Sequence, residues 1–191
     1  MSYNFFYWGP VLFKTKISEE DKNKLIKLKT IKSIKQDLAG SLEKEDSVSN
    51  AKVNQILQKY FSLFYECYEH WYNKKIQSKL KVKLAWINTM KPGDFNPPHI
   101  HLDCNFSGVL YLKIDQKLIA ENKSYIGRSR GPGSISFLYG NQSDDCISDA
   151  SFVPEERDLY IFPRNLYHCV HPFKSNAERI SMAFNLKWDD K

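Results

Sequence analysis

The chain has 191 residues, 42% hydrophobic and 14% aromatic, with a formal charge of +6. That suits one domain, or one domain with an extension, around a real core. No apolar run reaches the roughly 18 residues of a membrane helix. The positive charge is spread over a Lys-, Asn- and Ile-rich chain with no recognised motif, which disfavours nucleic acid as a partner.

The opening Met1-Ser2-Tyr3-Asn4-Phe5-Phe6 has no basic leader, so a secretory signal is disfavoured and a cytoplasmic protein is expected. Val11-Leu12-Phe13 reads as a short strand. Ser18-Glu19-Glu20-Asp21 has the form of a helix N-cap, and Leu25, Ile26, Leu28 and Ile31 supply an apolar face behind it. Residues 39–50 are polar and turn-rich, the composition of a surface loop. Val53, Ile56, Leu57, Tyr60, Phe61, Phe64, Cys67, Tyr68 and Trp71 keep helical spacing, which predicts a long amphipathic helix from about 50 to 77. Such an aromatic stripe is what a helix needs to pack on a sheet. His70, beside it, reads as a surface or packing residue.

From residue 80 the period becomes two. Val82, Leu84, Trp86 and Asn88 alternate with Lys83, Ala85 and Ile87, and Lys91-Pro92-Gly93-Asp94 marks a turn. Short strands are then predicted at 99–103, 107–114, 134–138, 158–162, 168–170 and 179–186. The stretch 116–157 is the least regular, and Gly127–Gly133 looks like a loop near a site mouth. Short strands in series argue for a mainly β, α+β fold: a jelly roll with packing helices on its N-terminal side. Residues 1–80 are expected to belong to the same domain as a jelly-roll core at 81–191.

His99-Ile100-His101-Leu102-Asp103 carries the chemistry. In an extended strand these three potential ligands share one face, because side chains alternate. Imidazoles and a carboxylate converging on one point suit a redox-active divalent metal, above all non-haem Fe(II). A jelly roll sets sequence-distant strands side by side, so a far-downstream His168 can join them. Arg179-Ile180-Ser181 then offers a cation and a hydroxyl to an acidic co-substrate. His171, three residues past His168, should face away on a strand. Cys67, Cys104, Cys146 and Cys169 have no C-x-x-C spacing, which disfavours a zinc ribbon or disulfide framework. Cys104 and Cys169 adjoin the candidate ligands but should point to the opposite face and pack.

The chain resembles the 2-oxoglutarate- and Fe(II)-dependent dioxygenases. It looks closest to a group common in phages and marine bacteria, and is more distantly similar to prolyl hydroxylases. The likeness rests on Trp86-Ile87-Asn88, His99-Ile100-His101, Ser107–Leu112, the Phe162–Pro172 segment and Arg179-Ile180-Ser181, and spans about 82–187. It implies a double-stranded β-helix of the cupin kind. It also implies O2-dependent decarboxylation of 2-oxoglutarate to succinate and CO2, coupled to hydroxylation of a peptide, protein residue or small metabolite. Ascorbate would serve as reductant in vitro. It makes His168 the distal iron ligand and Arg179, assisted by Ser181, the anchor for the co-substrate carboxylate, with Tyr111 and Asn88 as further polar partners. If phage-encoded, the enzyme would work in the host cytoplasm.

The first ligand pair stays open between two registers. His101 and Asp103 with His168 match the family's His-x-Asp literally and give the usual two-imidazole, one-carboxylate triad. His99, His101 and His168 form the alternative, which differs by one unit of charge. Two other functions compete: a cupin-type metal enzyme that does not use 2-oxoglutarate, and a non-catalytic jelly-roll binding module.

Overall fold

A computed structural model describes residues 9–140 and 147–189. Met1–Phe6 and Cys146 lie outside the described residues. Among the described residues, ten strands form two antiparallel sheets. The larger contains β1 (Phe13–Lys16), β8 (Asp158–Pro163), β5 (Phe106–Ile114), β10 (Arg179–Trp188), β3 (Leu80–Met90) and β2 (Lys44–Ser47), in that order. The smaller contains β4 (Asn96–His99), β9 (Tyr167–Val170), β6 (Ile135–Leu138) and β7 (Asp149–Phe152). The helices are α1 (Glu19–Ile26), α2 (Asn50–Tyr72) and α3 (Gln116–Ser124). No helix among the described residues is long and apolar enough to cross a membrane.

Strand alternation divides the interior into two cores. On β5, Leu110 and Leu112 face α2, while Val109 and Tyr111 face the space between the sheets. The α2 stripe of Val53, Leu57, Tyr60, Phe61 and Phe64 is buried on the first of these cores. Phe64 meets Phe106 edge-on at 5.0 Å, a favoured geometry for two rings. The stripe is therefore packing as far as Tyr68, as its spacing predicts, while Trp71 at its end is exposed. The Ser49 hydroxyl accepts from the Lys52 N–H at the start of α2, and Asn73 ends it in the left-handed region at φ 48°.

The structure differs locally from the sequence reading: α2 ends at Tyr72, the stretch 116–157 holds α3 and β7, and three further differences lie in the larger sheet. β1 starts at Phe13 rather than Val11. The segment 39–50 is not all loop: Lys44–Ser47 pairs with β3 at the sheet edge, where Lys44 is exposed and Glu45 and Ser47 are buried. Its polarity is that of an edge strand. Third, β3 carries a bulge opposite Asn185 and Leu186, which pair with Leu84 and Val82 and leave Lys83 over. The extra residue reverses the alternation, so Val82 faces α2 while Leu84, Trp86 and Asn88 face the other way. Beyond β2 the open edge of β3 is satisfied by α2: Asn54 accepts from the Val82 N–H, and Asn50 bridges the Ala85 N–H and the Lys83 carbonyl.

Candidate metal and co-substrate site

A cavity of about 620 Å³ opens between the sheets. His99 on β4 and His168 on β9 are register partners on the smaller sheet. β4 ends at His99, so the predicted strand through Asp103 is not continuous. His101 follows in the next stretch, where its N–H donates to the Arg164 carbonyl. The imidazoles of His99, His101 and His168 each bring a nitrogen into one group, all within 4.8 Å of one another. His101 and His168 stack 5° from parallel, with Nε2 atoms 3.2 Å apart.

Asp103 is not in this group. It lies in a bend at φ 55°, exposed, and its carbonyl accepts from the Lys83 ammonium. His70 is exposed on α2, and His171 bonds the Ser136 hydroxyl instead.

The backbone sets the tautomers. A carbonyl only accepts, so His99 Nδ1 donates to Pro97 and His168 Nδ1 donates to Leu166. Their Nε2 lone pairs are thereby turned toward the cluster, the arrangement of a metal-binding histidine. Burial lowers all three pKa values, to about 4 for His101 and about 3 for His168. The rings are therefore neutral near pH 7 and available as ligands. This donor set fits a divalent metal.

The larger sheet supplies the opposite wall. Arg179 and Ser181 on β10 and Asn88 on β3 are buried, and all three line the cavity. The Arg179 guanidinium lies over the Tyr111 ring with Nη1 directed at the Met90 sulfur. Its Nε and Nη2 are buried without a partner. A buried cation with two free donors fits a carboxylate. Tyr111 backs the arginine and does not itself line the cavity.

A family model described as "Putative 2OG-Fe(II) oxygenase" matches residues 84–185. The chain belongs to this family. The oxygenase is thus an enzyme that uses Fe(II) and 2-oxoglutarate. No curated protein matches it. Similar solved structures share its double-stranded β-helix at low identity. A Burkholderia pseudomallei oxidoreductase of the 2OG-Fe(II) oxygenase family is 11% identical, with a TM-score of 0.57 over 94% of this chain and 85% of that one. A viral collagen prolyl hydroxylase from Paramecium bursaria Chlorella virus-1, in complex with 2-oxoglutarate, is 15% identical, with a TM-score of 0.54 over 92% and 94%. A Pseudomonas putida prolyl 4-hydroxylase is 12% identical, with a TM-score of 0.53 over 92% of each chain.

In the oxygenase the remaining cavity wall comes from an unexpected place. Gly127–Gly133 does not line it and is instead held against α3, where Asn122 donates to the Arg130 and Pro132 carbonyls. Ile34, Leu38, Leu42 and Glu45 line it. Glu45 is the residue the sequence reading missed, since it lay in an apparent loop; Lys44-Glu45-Asp46-Ser47 is polar throughout, and its alternating burial shows only in the structure. Cys104 is buried, Cys169 is partly so, and burial raises both thiol pKa values, consistent with packing roles.

Proposed function

We propose that His99, His101 and His168 hold Fe(II), and that Arg179 with Ser181 holds the distal carboxylate of 2-oxoglutarate. The observation that carries this reading is the convergence of three neutral imidazole nitrogens across one cavity from an arginine with two unpartnered donors. Bound iron with 2-oxoglutarate and O2 supplies the oxidising power for hydroxylation, yielding succinate and CO2. The chain's part is to hold and orient. Pro97 and Leu166 fix two imidazoles, and the Tyr111 ring fixes the plane of the arginine fork. Three neutral ligands leave the metal's double charge uncompensated, which favours a dianionic co-substrate. Asn88 is a further polar contact for it.

The substrate is a peptide, a protein residue or a small metabolite. A peptide is supported by the similar structure of a Trichoplax adhaerens prolyl hydroxylase, which is in complex with a peptide fragment. We read residues 1–80 as part of one domain with the core, supported by the pairing of β1 with β8 and β2 with β3. Free Cys67, Cys104 and Cys169 support a cytoplasmic setting. The test is succinate formation from 2-oxoglutarate with Fe(II), ascorbate and candidate substrates. Iron-dependent succinate release is expected; absence of both 2-oxoglutarate binding and turnover overturns the reading.

A further inference from the structure

The cavity lining holds buried polar atoms, on Glu45 and Asn96, that the iron and co-substrate reading does not use. Glu45 is buried on β2, its Oε2 has no hydrogen-bond partner, and it lines the cavity. Its register partner is Asn88, whose Oδ1 is also buried and unpartnered. Asn96 Oδ1 is a third such atom on the same lining. The segment carrying Glu45 is tied beside Asn96 by the Ser41–Phe95 bridge and by Asp94, which accepts from the Glu43 N–H. These three orphan atoms are oxygens, whereas the orphans of Arg179 are nitrogens. A buried polar atom without a partner is costly, and a cluster of one sign points to what completes it. The lining also carries the apolar Ile34, Leu38, Leu42 and Met90, with Lys32 and Asp37 among its charged side chains.

We propose that the lining around Glu45 is the substrate subsite and that it takes a cation, an ammonium or guanidinium, carried on an aliphatic stem. Glu45 is the specificity-determining residue, with the Asn96 amide oxygen as a further acceptor. Desolvation holds the Glu45 carboxyl up at about pH 7, with Lys35 opposing and Asp94 adding to the rise. An incoming cation therefore meets a carboxyl whose Oε2 has no partner of its own, and the carboxyl ionises against it. The apolar wall sheathes the stem, as buried aliphatic segments of lysine and arginine do elsewhere.

This inference rests on the oxygenase reading, and the test separates the two. The full chain, loaded with Mn(II) and 2-oxoglutarate, is titrated calorimetrically with N-acetyl-lysine methylamide and N-acetyl-arginine methylamide. The neutral comparisons are the Nε-acetylated lysine analogue and the proline analogue. At least one cationic probe is expected to bind 10-fold or more tighter than the neutral ones, and to raise succinate formation with Fe(II). Glu45→Gln is expected to bring that ratio near one while the melting transition stays cooperative. Equal binding of charged and neutral probes, no binding of any cationic probe, or a ratio unchanged in E45Q overturns the subsite. The wild-type comparison decides the matter even if E45Q fails to fold. Failure of wild-type protein to bind 2-oxoglutarate at all instead overturns the oxygenase assignment of the cavity.

Discussion

The guanidinium carbon of Arg179 stands 4.7 Å from the centroid of the Tyr111 ring, with both residues almost wholly buried. The stack fixes the plane of the fork, and Met90 occupies Nη1, so the Nε and Nη2 donors remain free as a pair. A lysine cannot reproduce that planar pair. Arg179→Lys is expected to weaken 2-oxoglutarate binding by roughly 10- to 100-fold while leaving metal affinity within about 2-fold. Calorimetry with Mn(II) and 2-oxoglutarate checks this. Tyr111→Phe keeps the ring and removes a buried hydroxyl that has no partner. It is expected to retain co-substrate affinity and to gain up to about 1 kcal/mol of stability. A fall in 2-oxoglutarate affinity in Y111F would instead give the hydroxyl a direct role.

The two ligand registers make opposite demands on His99 and Asp103. His99→Ala removes one of three converging ring nitrogens, so metal affinity is expected to fall by at least about 10-fold. Asp103→Gly is the matching control, because glycine tolerates the left-handed φ of 55° that alanine would strain. Metal affinity and turnover are expected to survive that change. Loss of both in D103G, with H99A unaffected, would restore the His101, Asp103 and His168 set.

The legibility of this chain follows what each segment buries. Alternation predicted β5 and β10, and Arg179 and Ser181 fall on one face of β10 with the cavity. The α2 stripe was legible for the same reason, since a single buried face imposes a single period. Asp103 was harder. Strand parity places it with His99 and His101 only if the chain stays extended, and the backbone leaves the strand after His99. Whether a four-residue strand continues is settled by its partner β9, which is distant in sequence. Glu45 was hidden for a related reason, since an edge strand flanked by polar residues has no apolar alternation to show.

Asp21 gives the fold a pH dependence of known sign. Burial alone would raise its pKa, but hydrogen bonds from Lys59, Tyr60 and Ser18 outweigh that and bring it to about 2. It ties α1 to α2 through the Tyr60 hydroxyl at 2.7 Å. A carboxylate whose folded pKa lies below its unfolded value stabilises fully above the unfolded value, near 4. That contribution is lost as pH falls from about 4 toward 2. After discounting for the exposed Lys59, it is worth about 1–2 kcal/mol. Asp21→Asn is expected to lower the melting temperature at pH 7 and to flatten its decline between pH 4 and 2. Scanning calorimetry over that range checks it; a wild-type slope in D21N would assign the acid loss to other groups.

Gly108 tests the packing beneath the site. It sits in mid-β5, directly opposite Phe184 on β10. A Cβ there would overlap the Phe184 ring and stand 3.0 Å from the Tyr160 carbonyl oxygen. Phe184 is fully buried against Phe61 of α2, and the carbonyl belongs to the adjacent strand, so neither can move aside cheaply. Gly108→Ala is therefore expected to destabilise the fold by about 1–3 kcal/mol, despite the helpful loss of backbone freedom in the unfolded chain. Pairing it with Phe184→Leu, which removes the ring, should recover part of that loss, so the two costs should not add. Denaturant titration of the single and double variants measures this coupling. Additive costs would show that the ring is not what excludes a side chain at position 108.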